Sequence, residues 1–187
     1  MIVPTPILTK DGRLNDDGVC VFTWVDGDSP VTEADWLAVT DALTRLHQVS
    51  ASWSQRPGFA STRDLLEVDS GGDVDLREMP RDAVLTCRAA WAGIFEEPRS
   101  VVHGDPGPGN IRVTTNGVGL IDWDEARVDA SVLDFAEHPL AATLIQPSTR
   151  RAAARRAATA WEAANGWRIE PEYARRKLSE LIALGES

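Results

Sequence analysis

Two apolar runs open the chain, 2–8 and Val19–Val25, each set between turn-forming residues, and the second is rich in β-branched and aromatic side chains. They predict two strands, linked by a turn at Asp11-Gly12 and a polar connection at Asp16-Asp17-Gly18, with Asp26-Gly27-Asp28 ending the second. Trp36, Leu37, Val39, Leu43 and Leu46 then recur at helical spacing. Thr32, with Asp35 three residues on, has the form of an N-terminal cap, so a helix is predicted from Thr32 to about Gln48. Residues 50–79 are rich in Ser, Gly, Asp and Arg and read as a surface excursion, with a helical turn at Arg63–Glu67 and a flexible point at Ser70-Gly71-Gly72. Pro80 opens a core helix running through Val84, Leu85, Ala89, Trp91 and Phe95 to Pro98.

Beyond Pro98 the pattern changes to short apolar strands. Val101-Val102 leads into His103-Gly104-Asp105-Pro106-Gly107-Pro108-Gly109-Asn110, where glycines and prolines forbid regular structure and fix a loop. Ile111–Thr115 and Val118–Trp123 flank Asn116-Gly117, a strong hairpin signal. The remainder is helical, in segments near 130–144, 148–165 and 171–184 separated by Pro147, Asn165-Gly166 and Pro171.

The hairpin carries a geometric consequence. A two-residue turn at Asn116-Gly117 sets Thr115 opposite Val118, Ile111 opposite Asp122 and Asn110 opposite Trp123. Asn110 and Asp122 then meet at the open end, provided that Asn110 has left the strand, and the loop from Asp105 is short enough to return there. Two carboxylates and an amide oxygen suit magnesium, which needs only one or two carboxylates when phosphate and water complete its octahedron.

Charge narrows the partners. The chain has 187 residues and a formal charge of −10, which argues against nucleic acid and anionic membrane as general partners and favours a cationic or neutral small molecule. The imbalance is uneven, −13 over residues 1–146 and +3 over 147–187. No run has the length of a membrane span, and the N-terminus lacks the features of a signal peptide. Two cysteines in apolar surroundings, Cys20 and Cys87, give neither a disulfide framework nor a zinc pattern. A cytoplasmic protein is expected.

His103-x-Asp105-x-x-x-x-Asn110, then Ile121-Asp122-Trp123-Asp124, then Asp129 and Leu133-Asp134-Phe135-Ala136, resemble the aminoglycoside phosphotransferase and choline kinase group of small-molecule kinases. The strand Val21–Gly27 is similar to that family's interlobe hinge, and Leu43-Thr44-Arg45-Leu46-His47 matches the end of the following helix. The resemblance implies an α+β, protein-kinase-like fold. Residues 1–27 would be a two-stranded remnant of the N-terminal lobe with the hinge, and residues 28–187 a mostly helical C-terminal lobe with the hairpin at its site. It implies transfer of the γ-phosphoryl group of ATP or GTP to a hydroxyl of a small molecule, an antibiotic or a metabolite. Asp105 would accept the hydroxyl proton, Asn110 and Asp122 would hold Mg2+, and His103 and Asp134 would brace the loop and the helix behind it. Trp24, Trp123 and Asp124 are the further nucleotide or substrate contacts to test.

The departures matter as much. Pro106 and Gly107 stand where the family's loop usually has a bulky residue and a histidine. The sequence begins too late for the family's glycine-rich turn and phosphate-pairing lysine, and its two lysines, Lys10 and Lys177, are poor substitutes. The alternative is therefore a truncated pseudokinase, a small-molecule-binding protein or nucleotide-independent enzyme using the old substrate cleft. A two-stranded remnant would expose an unpaired edge, so a homodimer or a partner chain is expected to cover residues 1–27. Trp36, Trp91 and Trp161 read as core, His47 and His138 as structural, and Arg150, Arg151, Arg155 and Arg156 as a solvated helix face weighed against phosphate binding.

Overall fold

The computed structural model describes residues 1–185; Glu186 and Ser187, the end of the predicted C-terminal lobe, lie outside the described residues. In chain order the elements are β1 (Pro6–Ile7), β2 (Val21–Phe22), α1 (Glu33–Ser50), β3 (Ser70–Gly71), β4 (Val74–Asp75), α2 (Arg81–Ala92), β5 (Arg99–Val102), β6 (Ile111–Thr114), β7 (Gly117–Leu120), β8 (Arg127–Ala130), α3 (Ala141–Leu144), α4 (Ser148–Asn165) and α5 (Pro171–Gly185). Short 3-10 turns occupy Asp64–Leu66, Leu76–Glu78 and Ser131–Phe135. The chain divides into two compact units, Met1–Thr44 with Asp105–Glu125, and Arg45–Gly104 with Ala126 onward. No helix among the described residues is long and apolar enough to cross a membrane.

The first unit is organised around the antiparallel β6–β7 hairpin, whose two outer edges are both taken by the N-terminal segment. On β7, the Ile2 N–H donates to the Val118 carbonyl at 2.8 Å and Ile2 O accepts from the Leu120 N–H at 3.0 Å. On β6, Asp28 and Val113 exchange N–H···O bonds of 3.2 and 2.7 Å. Between these contacts Val25 packs so close to β7 that a Cβ at Gly119 would lie 2.4 Å from its Cγ1. The predicted strands 2–8 and 19–25 contract to β1 and β2, because Ile7, Leu8, Val19, Val21 and Phe22 are all exposed and no buried face extends the pairing. Cys20 is likewise exposed, against the apolar surroundings expected of it.

α1 begins with a reciprocal cap: Thr32 Oγ1 accepts from the Asp35 N–H at 3.2 Å, and Asp35 Oδ2 accepts from the Thr32 N–H at 2.8 Å. Val39, Leu43 and Leu46 form its buried stripe as predicted, joined by Ala42, His47 and Ser50, while Leu37 faces solvent and Trp36 is half-buried.

The second unit holds the larger core, in which α4 packs on α5 and α2, and β5 pairs antiparallel with β8. Residues 50–79 are not a surface excursion: Ala60, Leu65, Val74, Leu76 and Met79 belong to this core. Asp129 of β8 pins the segment, its carboxylate accepting from the N–H and the hydroxyl of Thr62 at 2.9 and 2.6 Å. The same carboxylate takes Arg127 Nε at 2.8 Å, and the Arg127 guanidinium lies 3.2 Å from the centre of the Trp161 ring. A buried charge is thus held by a carboxylate and a π face together. α2 ends at Ala92, short of Pro98, and buries Ala83, Cys87, Ala90 and Trp91, so its inward face is rotated from the predicted one. The predicted helix 130–144 is instead the end of β8, a 3-10 turn and the four-residue α3.

That 3-10 turn carries Asp134, 2 % exposed. Its Oδ2 accepts the His103 N–H at 2.9 Å and lies 2.8 Å from His47 Nε2, and its Oδ1 accepts the Gly104 N–H at 3.1 Å. Gly104 has φ +98°, a turn that a residue with a Cβ resists and that ends β5 abruptly. Asp134 therefore anchors the loop backbone itself, and the supporting helix expected behind it is a single turn.

Two outcomes follow. Asp134→Ala strands two buried donors and a half-buried one, so thermal denaturation should show a loss of about 3–5 kcal/mol and a fall in Tm of roughly 6–20 °C. Burial pushes the Cys87 thiol up to about 12, so a thiol reagent at neutral pH should label the native chain once, at Cys20, and twice only after unfolding.

Candidate active site

The loop after Gly104 returns on itself. The Asn110 N–H donates to the Gly107 carbonyl at 2.9 Å, closing a turn, and the Asn110 carbonyl accepts the Ile121 N–H at 3.0 Å, continuing the hairpin ladder by one bond. The Asn110 side chain turns toward the loop: Nδ2 donates to Asp105 Oδ2 at 2.8 Å and to the Asp105 carbonyl at 3.1 Å. Of the three residues expected to converge, these bonds bring Asp105 and Asn110 together, and no hydrogen bond among the described residues joins Asp122 to them. Gly107 contributes by having no side chain, since a Cβ there would lie 3.3 Å from Asp105 Oδ1.

The hairpin register differs from the predicted one. Thr114 pairs with Gly117 and Ile111 with Leu120, so the turn is Thr115-Asn116 and Gly117 starts the return strand with φ +131°. Thr114 Oγ1 fixes this turn by accepting the Asn116 N–H at 3.0 Å and donating to the Gly117 carbonyl, also at 3.0 Å. Asp122 therefore does not stand opposite Ile111, nor Trp123 opposite Asn110. The slip moves each partner by two residues and so keeps every side chain on its predicted face.

Asp122 leaves the strand instead with φ +62°. For a residue with a side chain this conformation is unfavourable by about 1–2 kcal/mol, a strain that concentrates at functional positions. Asp105, Asp122 and Asp124 are exposed and Asn110 is half-buried. Among the described residues no hydrogen bond holds the Asp122 carboxylate, and the amide of Asn110 commits its nitrogen, not its oxygen, to Asp105. One carboxylate and one amide oxygen suit a hard, oxygen-seeking cation that arrives with phosphates and water, and the donor set fits magnesium. Among the described residues no three His, Cys, Asp or Glu side chains cluster for a metal held by protein alone.

The remaining predicted residues separate. The Trp24 ring is 83 % exposed, its Nε1 donating to Asp26 at 2.8 Å, whereas half-buried Trp123 commits its Nε1 to the Leu120 carbonyl at 2.9 Å. His103 is buried, and its contribution beside Asp134 is a backbone N–H. His47 is the contributor that sequence reading left without a partner. The available signal was its place on the Val39, Leu43, Leu46 face, where a buried imidazole needs one.

A model of the phosphotransferase enzyme family matches residues 2–176. No curated protein matches the sequence at a significant level. Among solved structures, choline kinase LicA from Streptococcus pneumoniae superposes with a TM-score of 0.65 at 13 % identity, over 100 % of this chain and 75 % of that one. A choline/ethanolamine kinase family protein from Mesorhizobium loti gives 0.53 at 15 %, over 100 % and 75 %. The aminoglycoside phosphotransferase APH(2")-IIa in its gentamicin complex gives 0.57 at 16 %, over 97 % and 74 %. The likeness is one of fold, the protein-kinase-like α+β fold that the loop and hairpin motifs imply. With most of its length matched by the family's model, this chain belongs to the phosphotransferase enzyme family.

Proposed function

We propose that the chain transfers the γ-phosphoryl group of ATP or GTP to a hydroxyl of a small molecule. The observation that carries this reading is the pairing of Asp105 with Asn110 at 2.8 Å beside a hairpin whose return strand is followed by Asp122 in a left-handed backbone. Family relatives supply the nucleotide class: LicA has been crystallised with AMP, and the phosphotransferase APH(2")-IIIa with GDP and kanamycin.

Phosphoryl transfer leaves the protein little covalent work, so the residues act by alignment and charge placement. Asp105 orients the acceptor hydroxyl and takes its proton through Oδ1, the oxygen that Gly107 leaves uncovered. The Asn110 amide holds Asp105 through Oδ2 and fixes the carboxylate plane. Asn110 Oδ1 and the Asp122 carboxylate would hold the magnesium ion, which when bound neutralises charge on the nucleotide phosphates. Asp134, by tying the two N–H groups just before Asp105, limits the drift of that carboxylate.

A second reading is a nucleotide-independent binding protein. It draws on the lysines: Lys10 lies in an exposed turn and Lys177 lies 3.9 Å from Glu180 on α5, so neither is placed as a phosphate partner.

Calorimetry of the full chain with ATP and GTP in magnesium separates the two, followed by turnover assays with choline, aminopropanol and kanamycin. We expect saturable nucleotide binding that Asp122→Ala abolishes, and turnover that Asp105→Ala lowers by about a thousandfold or more with the fold intact. Absence of binding at millimolar nucleotide, or full turnover in Asp105→Ala, overturns the phosphotransfer reading.

A further inference from the structure

The basic helix α4 is not uniformly solvated. Arg150 is spent on Glu97, with two bonds of 2.6 Å, and Arg155 lies 3.6 Å from Glu137 and 3.2 Å from Glu180. The other two arginines have no carboxylate partner among the described residues. Arg151 donates to the Ala142 carbonyl at 3.3 Å, and Arg156 makes neither a hydrogen bond nor an ion pair with a described residue, with its Nε shielded from water and its Nη2 close against Gly185. An Nε held away from water without an acceptor among the described residues is a costly arrangement that a bound anion would relieve.

Both face one cleft of about 520 Å3 in the second unit, lined also by Glu137, His138, Ser148 and Arg155. That volume lies in the range of small-molecule sites. Ser148 is the first residue of the 18-residue α4, so the positive end of that helix lies at the same cleft. Among the described residues Glu137 and Glu180 are the carboxylates near these arginines, and both pair with Arg155, so the described lining is net positive in a chain of charge −10. His138 lines it with Nδ1 accepting the Leu140 N–H at 3.1 Å.

We infer that this cleft is an oxyanion site, in which Arg151 and Arg156 grip a phosphate or carboxylate group of a small molecule and the first turn of α4 faces the same charge. The site is composed of residues separate from Asp105, Asn110 and Asp122, and it stands whether or not the chain is a kinase.

The test is calorimetric titration of the full chain, without nucleotide or magnesium, with inorganic phosphate, glycerol 3-phosphate and succinate. Saturable binding is expected, weakened about tenfold or more in Arg156→Ala and in Arg151→Ala, and unchanged in Arg150→Ala and Asp122→Ala. The two cleft variants are independent, so Arg151→Ala carries the test where Arg156→Ala fails to fold. Preference for the phosphate-bearing probes assigns a phosphoryl group and preference for succinate a carboxylate, and each upholds the site. No saturable binding of any probe to roughly 10 mM, or binding equal in wild type and both cleft variants, overturns it.

Discussion

A carboxylate buried to 2 % exposure must be surrounded by donors, and Asp134 is met by the N–H groups of His103 and Gly104 and by the imidazole of His47. Each donor comes from a different part of the chain's logic. His47 is on the last turn of α1, His103 follows β5, and Gly104 has the positive φ that turns the backbone out of that strand. Charge-assisted bonds of this kind are about twice as strong as neutral ones and bring directional constraint. The next residue in the chain is Asp105, so the two backbone N–H groups immediately before the proposed base are both bonded.

The other half of the site depends on backbone, not on burial. The β6–β7 hairpin is stabilised along both edges, by Ile2 on one side and Asp28 on the other, which makes the N-terminal segment part of its scaffold. A hairpin alone is marginal in water, and these extra bonds supply the missing strands. At the end of that scaffold Asp122 takes a left-handed conformation, φ +62°, which most residues with a side chain avoid.

The loop and the hairpin were legible from sequence because their signals are local. Glycine and proline punctuate residues 103–110, β-branched residues mark β6, and the cap of α1 is written in Thr32 and Asp35. The register was not, because a Thr114 hydroxyl satisfying both sides of the turn outweighed the preference of Asn-Gly for its centre. The burial of residues 50–79 was hidden for another reason. Its apolar residues, such as Leu65, Val74 and Leu76, are too few among Ser, Gly, Asp and Arg to sustain a strand or helix pattern over a whole element, and it is Asp129, far along the chain, that holds the segment inward through Thr62. α2 illustrates the same limit, since Ala83, Cys87 and Ala90 are small enough that pattern alone could not choose them over Val84 and Leu85. His47 needed a partner 87 residues away, visible only in three dimensions.

Asn110 and Asp122 are proposed to present oxygen ligands together to a nucleotide-bound cation. Paramagnetic relaxation on the isotope-labelled full chain, with nucleotide and Mn2+ in place of magnesium, reads out that pairing residue by residue. The resonances of Asn110 and Asp122 should broaden first, with Asp105 next, and Asp122→Ala should remove the effect. Broadening centred elsewhere, or none at saturating nucleotide, would contradict that pairing.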